Sequence, residues 1–391
     1  MLPEEFTAEA PGKVSRSVLG HWTFEPDRLP PTLSIDLPLL ERISEADRAL
    51  GELAGLGRVL PNPHLLIRPF LSREAVLSSR IEGTVTRLDQ LFLFEVQPDE
   101  VEHPADAAEV SNYVRAVEHG LEQIRRGVPF SLHLIREVHS TLLTGVRGGD
   151  KHPGEIRSRP VRLGRAGQSY DQARFVPPCH TKLGPLLDDF IRFLRDERKL
   201  PIIIQLALMH YQFETIHPFN DGNGRVGRLL ITLMLCERQC LPAPLLYLSA
   251  FFEQHREEYY DRLLEVSRRG AWNDWIEFFA QGVAEQAHDA TMRSRRLLDL
   301  WQEYRHRAPE IVRSSVVLRL IDQLFTSPFI TMNRASSVMG ISFKSATKNM
   351  EKLVEASILR EITGQQRYRV YVAHEIFRLL DEPLSPEPAE P

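Results

Sequence analysis

The sequence is poor in cysteine and carries no surplus of positive charge. Its 391 residues include only 3 cysteines, unevenly spaced, which excludes a disulfide framework and predicts that Cys179, Cys236 and Cys240 are free thiols. Cys236 and Cys240 could share one helix face, but two sulfurs without a nearby histidine make a poor zinc site. The formal net charge of −5 excludes a chain-wide basic surface, so any contact with nucleic acid must be local.

Long apolar runs are also missing. The windows PIIIQLALMHYQF and LLITLMLC are interrupted by polar residues and are shorter than the roughly 20 residues of a membrane span. The first residues, MLPEEFTAEAPGKV, are acidic where a secretory signal would be positive. We therefore expect a cytoplasmic protein without membrane association, and the length predicts two or three globular domains.

Helical periodicity dominates the chain beyond a proline-rich stretch of about forty residues that we expect to be extended. From residue 131 onward, apolar residues recur at spacings of three and four, which predicts an all-α core. Residues 202–216 follow the same spacing despite three consecutive isoleucines, so we predict a helix there. Glycine, proline and short alternating pieces in residues 154–178 indicate a small β-hairpin or an irregular flap instead.

The chain changes character towards its C-terminus. Residues 281–307, rich in Arg, Glu and Gln, are typical of a solvated helical connector. Three short helical patterns and two strands around a glycine turn follow, in an order that resembles a winged helix-turn-helix. The predicted regions are an N-terminal helical region (1–120), a catalytic core (121–285), a connector (286–310), a winged-helix domain (311–380) and a disordered tail (381–391).

The stretch HPFNDGNGRVGR, residues 217–228, carries most of the reactive side chains. Gly222, Gly224 and Gly227 match the dinucleotide fingerprint, but neither the preceding strand nor the later acidic residue of that motif is present. A P-loop fails as well, because Leu229 replaces the Ser/Thr that would hold magnesium. Both motifs share one physical basis that applies here: backbone N–H groups at a helix N-terminus form a phosphate cradle.

The polar residues of this stretch indicate phosphate chemistry. Asp221 offers a hard oxygen ligand for Mg²⁺. Arg225 and Arg228, three residues apart, are expected to point to one side and grip phosphate oxygens. His217, with an ordinary pKa of about 6.5, can accept a proton near neutral pH. A lone histidine or Asp-Gly pair is usually structural, but the combination favours attack on a nucleotide phosphate by a hydroxyl that His217 deprotonates.

The stretch closely resembles the Fic/Doc signature H-x-F-x-[DE]-G-N-G-R-x-x-R at every fixed position. The resemblance implies transfer of AMP from ATP to a Ser, Thr or Tyr hydroxyl of a protein, including the chain itself. It implies His217 as general base, Asp221 as ligand of Mg²⁺ or Mn²⁺, and Phe219 as the residue that anchors the loop. The implied nucleotide-binding residues, with the anion hole around Asn223, are Gly222, Asn223, Gly224, Arg225, Gly227, Arg228 and Tyr260.

Other segments extend the resemblance. The Doc branch has Lys at the position of Gly224, so glycine favours AMP transfer over phosphate transfer. GEIRSRPVRLG resembles the family's flap, which implies that the protein substrate binds as an added strand along residues 154–178. In SAFFEQHREEYYDRLL, Tyr260 or its neighbour Tyr259 is expected against the base or ribose, with a core position as the alternative. A homodimer is common in this architecture, but no interface can be read from the chain.

SSRIEG, residues 78–83, fits the family's inhibitory motif [ST]-x-x-x-E-[GN]. We predict a helix that begins with Ser72 as N-cap and ends at Gly83. Glu82 would lie at its C-terminal end, where the helix dipole disfavours an anion by a few tenths to about 1 kcal/mol, so it gains from a cation outside the helix. The resemblance names Arg228, and a bidentate pair would occupy the arginine that should hold the γ-phosphate. The alternative is a solvated helix-end residue.

Two rival functions stay open at this point. The same site could remove AMP from a protein, with Glu82 orienting a water molecule. The chain could also be a DNA-binding regulator acting through residues 331–371, which have a moderate basic surplus. SFKSATKNMEKL would then be the recognition helix and TGQQRYR the wing, unless the domain binds protein instead.

Overall fold

The computed structural model describes residues 1–17, 19–59, 64–164, 167–196, 200–365 and 367–382. Apart from its first two residues, the predicted disordered tail lies outside them. The elements before the core are the strands β1 (Gly12–Arg16) and β2 (Trp22–Pro26) and the helices α1 (Leu37–Val59), α2 (His64–Ile81), α3 (Leu88–Val96) and α4 (Pro104–Arg125).

The core and the C-terminal part complete the fold. The core helices are α5 (Leu132–Leu143), α6 (Leu183–Arg195), α7 (Ile202–Ile216), α8 (Asn223–Glu237), α9 (Ser249–Gln254) and α10 (Arg256–Arg269). The C-terminal elements are α11 (Trp272–Val312), α12 (Val317–Thr326), β3 (Phe329–Thr331), α13 (Met332–Met339), α14 (Phe343–Glu355), β4 (Arg360–Glu361), β5 (Val370–Val372) and α15 (His374–Asp381). The all-α prediction is confirmed. Among the described residues, no helix is both long and apolar enough to cross a bilayer.

The first residues are extended, as predicted, but they also pair. β1 and β2 form an antiparallel hairpin in which Gly12 lies opposite Pro26. Phe24, fully buried, packs its ring 5.8 Å from that of Phe175 in the flap, and its N–H donates to the carbonyl of Val176. The β1–β2 hairpin therefore packs against the flap and supports it.

The flap itself is irregular. Within residues 154–164 and 167–178, the strand-like pairing is a single antiparallel bridge between Leu163 and Phe175. The prediction of a regular hairpin is therefore wrong, and the irregular alternative is the one that forms. Glycine and proline interrupt the alternation too often for a ladder to extend beyond this bridge.

Helix α2 is longer than the sequence pattern suggested. It begins at His64, so Ser72 lies in its interior, completely buried, and the prediction of Ser72 as N-cap is wrong. The apolar face of α2 extends towards its N-terminus through the buried residues Leu65, Leu66 and Phe70. The predicted end is confirmed, because Gly83 follows the last helical residues with a φ of +92°.

Helix α11 joins two regions that the sequence separated. It runs without interruption through residue 286, where we expected the core to end and a solvated connector to begin. Ala287, Ala290 and Leu297 are buried in it, so the prediction of a solvated connector is wrong. The helix packs against α1 and α12, and even its Arg293 is buried, so composition alone is misleading here.

The C-terminal elements include the three predicted helices and two late strands, but a strand, β3, also lies between α12 and α13 and a helix, α15, follows β5. β3, β5 and β4 form a three-stranded antiparallel sheet with β5 in the centre. This part packs on the N-terminal region: Phe329 lies 5.9 Å from Phe92, and α12 contacts α2. Helix α2, which ends just before Glu82, is thus held between the core and the C-terminal elements.

Candidate active site

A cavity of about 420 Å³ lies between the end of α2, the flap, the α7–α8 turn and α10. This volume is in the range of ordinary small-molecule sites. The residues of chemical interest in its lining are Glu82, Glu214, His217, Gly224, Arg228 and Tyr260. Side chains from both halves of the motif stretch therefore meet the predicted inhibitory residue in one space.

His217 ends helix α7 in the left-handed conformation, with φ 49° and ψ 61°. Its Nδ1 lies 3.2 Å from the carbonyl oxygen of Glu214. Since a carbonyl only accepts, Nδ1 carries the hydrogen and Nε2 keeps a free lone pair. Burial, helped by the charge of Arg157, lowers the pKa of His217 to about 4, so the imidazole is neutral at physiological pH.

The turn after His217 is closed by side chains. Asn223 Nδ2 donates to the carbonyl of Phe219, and its Oδ1 accepts from the Phe219 N–H, both at 2.9 Å. Phe219 is fully buried and stacks on His139 at 3.7 Å between ring centroids. Phe219 is thus placed as the predicted anchor, whereas the Asn223 side chain is used within the loop. An anion hole here would have to be made by backbone N–H groups.

Asp221 is the most accessible acid of the turn, with a side chain 40% exposed. Its Oδ1 accepts from the Gly222 N–H at 2.6 Å and lies 3.6 Å from Arg225 Nη2. His139 Nε2 lies 2.9 Å from the Asp221 carbonyl and holds the backbone there. The described residues contain no group of three or more candidate metal ligands, so Asp221 is a single ligand and not part of a cage.

The two motif arginines point to different places, so the expectation of a common direction is wrong. Arg228 lines the cavity. Arg225 does not, because its Nη1 donates to Glu109 of α4, and both side chains are at most 2% exposed. Glu109 also accepts from Thr84 and Arg147, so it is the centre of a buried polar cluster.

Helix α2 holds Arg228 through three hydrogen bonds. Its Nη2 donates to Glu82 Oε1 at 2.8 Å and to the Ser78 carbonyl at 2.9 Å, while Nε donates to Ser78 Oγ at 2.9 Å. The expected bidentate pair is therefore a single bond to Glu82, completed by Ser78. Burial alone would raise the pKa of Glu82, but Arg228 outweighs it and the pKa lies below its ordinary value.

The motif glycines serve different purposes. A Cβ on Gly224 would lie 2.2 Å from Glu82 Oε1, so only glycine lets the inhibitory carboxylate approach this closely. A Cβ on Gly227 would lie 2.5 Å from Glu214 Oε1, which shows that Gly227 faces α7 and not the cavity centre. Gly222 takes φ +77°, the left-handed conformation that opens α8.

The structure distinguishes the two tyrosines of α10. Both line the cavity, but Tyr259 is 1% exposed and its hydroxyl lies 2.8 Å from His210 Nε2. Tyr260 lines the cavity, with the guanidinium carbons of Arg174 and Arg256 each 6.0 Å from its ring centroid. Tyr260 is therefore the one available to a ligand.

Sequence reasoning overlooked four residues: Glu109, His139, Arg157 and Glu214. Glu109 is a buried acid of α4 and Glu214 a partly buried acid of α7, and an acid on the apolar side of a helix is the one signal that could have marked them. Glu214 lines the cavity with Oε1 unpartnered, and burial raises its pKa to about 8. Arg157 belongs to the flap segment GEIRSRPVRLG, but nothing in the sequence distinguishes it from the other arginines of that segment.

Comparison with known proteins identifies the protein family of the central part of the chain. Residues 40–122 match the Fic/DOC family N-terminal domain and residues 129–235 the Fic/DOC family itself. Residues 40–235 thus carry the two domains of the Fic/DOC family. A probable protein adenylyltransferase of Aquifex aeolicus is 37% identical over 94 residues, 24% of this chain and 27% of that one. The protein adenylyltransferase Fic of Aedes aegypti is 31% identical over 148 residues, 37% of this chain and 26% of that one.

The fold extends further than the sequence similarity. A Fic family protein from Desulfovibrio desulfuricans G20 superposes with a TM-score of 0.56 at 19% identity, covering 88% of this chain and 98% of that one. The curated relatives named above are matched over about a quarter of their own length. The residues matched by the family models contain the end of α2 and the α7–α8 turn, whereas α10 lies beyond them.

Proposed function

We propose that this protein is a protein adenylyltransferase that transfers AMP from ATP to a Ser, Thr or Tyr hydroxyl of a protein, including itself. The observation that carries the proposal is a neutral His217 with a free Nε2 in the same cavity as Arg228. That combination supplies a base and a phosphate-binding cation at one site. The names of the relatives in Aquifex aeolicus and Aedes aegypti support the same activity.

The reaction follows from the position of the base. The protein hydroxyl gives its proton to His217 Nε2 while its oxygen attacks the α-phosphorus of ATP. An oxygen–phosphorus bond forms, and the bond between the α-phosphorus and the oxygen bridging to the β-phosphate breaks. Pyrophosphate leaves with the electron pair. His217 begins this step uncharged, because burial and Arg157 hold its pKa at about 4.

The remaining residues would bind and orient the nucleotide. Backbone N–H groups at the start of α8, around Gly224, face an incoming phosphate at the positive end of the helix dipole. Asp221 fits a magnesium ion that is otherwise coordinated by phosphate oxygens and water, since such ions commonly take only one or two protein carboxylates. When bound, the ion neutralises phosphate charge. Tyr260 would contact the base or ribose, and the flap would hold the target segment as an added strand.

Glu82 would keep this activity low. Arg228 is the cavity's phosphate-binding arginine, and helix α2 engages it through Glu82 and Ser78. ATP could still enter, but without Arg228 on its γ-phosphate the α-phosphate would not face His217 correctly. The same contact argues against removal of AMP as the main activity, because Glu82 is engaged by Arg228 and is not free to orient water.

Incubation with α-labelled and γ-labelled ATP tests the proposal. We expect the Glu82→Gly variant to incorporate label from the α position alone, and His217→Ala in the same background to incorporate none. Label from the γ position would mean phosphate transfer instead. A folded Glu82→Gly variant that incorporates neither label, but releases AMP from a modified protein, would establish the reverse reaction.

The C-terminal elements support a second candidate, contact with DNA. Helix α14 exposes Phe343, Lys344 and Lys348 on one side. In the part of the chain that the structure describes, neither lysine forms an ion pair. Affinity for duplex DNA should fall steeply with added salt if phosphates are contacted, and Lys344→Ala/Lys348→Ala should reduce the slope. No binding at low salt would exclude DNA and leave a protein-binding role for residues 331–371.

A cytoplasmic location and a homodimer complete the proposal. Cell fractionation tests the location, and light scattering of the purified protein tests the dimer.

A further inference from the structure

Arg157, at the start of the flap, is a buried cation without an acidic partner. It is 2% exposed, and within the described residues it forms no ion pair. Its side chain donates only to backbone carbonyls. These are His217 O at 2.7 Å (from Nε), Pro178 O at 2.6 Å and Ile216 O at 3.3 Å (both from Nη2), and Arg159 O at 3.3 Å (from Nη1).

Two of these carbonyls belong to the turn that carries the general base. Helix α7 ends at Ile216, and the last carbonyls of a helix lack intrahelical donors and carry the negative end of the dipole. The left-handed conformation of His217 turns its carbonyl inward, where it accepts a hydrogen bond from Arg157 Nε. The Arg157 backbone adds a further bond, from its N–H to Pro218 O at 2.9 Å.

The remaining contacts connect this turn to the flap. Arg157 stands where the flap leaves the core, and Pro178 where it returns, so one guanidinium bridges both ends. A lysine could not do this, because only a planar guanidinium presents donors in several fixed directions at once. The flap and the histidine turn therefore share one rigid connection.

We propose that Arg157 is a positioning residue for His217, which fixes the left-handed turn so that Nε2 faces the cavity and keeps the flap in register with it. The inference rests on the proposed function for its kinetic consequences. Arg157 touches neither substrate nor the reacting atoms and acts only through the backbone of the turn.

Arg157 also contributes charge. The groups that face His217 are Glu82 from α2, Glu214 from α7, Arg228 from α8 and Arg157 from the flap. Burial lowers the pKa of His217 most and Arg157 lowers it further, while Glu82 raises it. Removing the cation should therefore raise the pKa of His217, whereas exchanging it for lysine should not.

The test separates geometry from charge in a Glu82→Gly background. In Arg157→Lys we expect kcat to fall by about tenfold to a hundredfold, as for a slightly misplaced catalytic group, with KM for ATP within about twofold of the parent. In Arg157→Gln we expect a similar loss of kcat, and the acidic limb of the pH–rate profile should move to higher pH. Arg192→Gln, which removes an exposed arginine of α6, should match the parent in both respects.

A second readout does not depend on activity. NMR titration of histidine-labelled protein should show the His217 pKa raised in Arg157→Gln and unchanged in Arg157→Lys. Folded variants with the parent's kcat and an unmoved His217 titration would overturn the proposal, and so would a rise in KM equal to the loss of kcat. If the parent itself transfers no AMP, the proposed function fails, but the titration still decides the role of Arg157.

Discussion

Arg225 and Arg228 lie on the same turn of α8, yet the N-terminal helices hold them in different ways. The Glu109–Arg225 pair is closed: both side chains are at most 2% exposed, and Thr84 and Arg147 supply further donors to the carboxylate. The Glu82–Arg228 pair is half open, because the Glu82 side chain is 32% exposed and makes a single bond to the arginine.

The difference separates a permanent contact from a releasable one. A buried pair is costly to break when one partner is removed, since the other charge stays desolvated. A carboxylate at a helix end, followed by a glycine with positive φ, can leave towards solvent and be hydrated. We infer that Glu109 fixes the docking of α4 on α8, while Glu82 regulates the arginine that faces the cavity.

The largest expected loss of stability comes from breaking the closed pair. Glu109→Ala should lower the free energy of unfolding by about 3 kcal/mol, because Arg225 would stay buried with its remaining acidic neighbour, Asp221, 3.6 Å away. Urea unfolding measures it, with Glu102→Ala at an exposed position as control. A loss of less than about 1 kcal/mol would mean that the pair is not the permanent contact described above.

Opening the second pair should change activity more than stability. Glu82→Gln removes one charge-assisted hydrogen bond, worth about 1.5–3 kcal/mol, so AMP incorporation should rise by about tenfold to a hundredfold. Unfolding free energy should change by about 1 kcal/mol or less, because the glutamine amide is partly solvated. Incorporation of α-labelled ATP checks the first expectation, and unchanged incorporation in a folded variant would contradict the inhibitory role.

Ser78→Ala tests the rest of the contact at smaller cost. It removes the hydroxyl that accepts from Arg228 Nε but leaves the backbone carbonyl in place. A hydrogen bond from a charged donor contributes at least about 1.5 kcal/mol, so we expect incorporation to rise about tenfold. Ser79→Ala, on the same helix, makes no contact with Arg228 in the described structure and should leave incorporation unchanged. An equal rise in both variants would point to general loosening of α2.

Glu214 extends the comparison to a third carboxyl, which forms no ion pair within the part of the chain that the structure describes. Burial raises its folded pKa to about 8, above its unfolded value, so ionisation costs stability as pH rises from about 4.5 to 8. Relative to wild type, Glu214→Gln should therefore gain about 4 kcal/mol in unfolding free energy between pH 5 and pH 8.5, since about three pKa units at about 1.4 kcal/mol each lie in this range. Thermal unfolding across this range measures it, and a pH-independent difference would contradict the raised pKa.

Much of the fold could be predicted from the sequence because short-range patterns, such as apolar spacing and helix-ending glycines, determine it. Apolar spacing predicted α7 correctly despite its isoleucines, and Gly83 ended α2 because few other residues adopt its backbone conformation. The failures share a cause as well. Ser72 looked like a cap, and the second half of α11 looked solvated, because burial by distant helices is not visible in a local window.

By itself, the sequence of residues 217–228 determined the chemistry, since a base, a hard oxygen ligand, glycines and two arginines in one turn suit little else. Residues 78–83 likewise predicted an inhibitory segment. Only tertiary structure decided which motif arginine faces the cavity, which tyrosine hydroxyl is already engaged by His210, and that Arg157 joins the flap to the base. Glu109, which holds Arg225, is remote from the turn in sequence. His210, which holds Tyr259, and the backbone carbonyls that hold Arg157 carry no signature in the sequence.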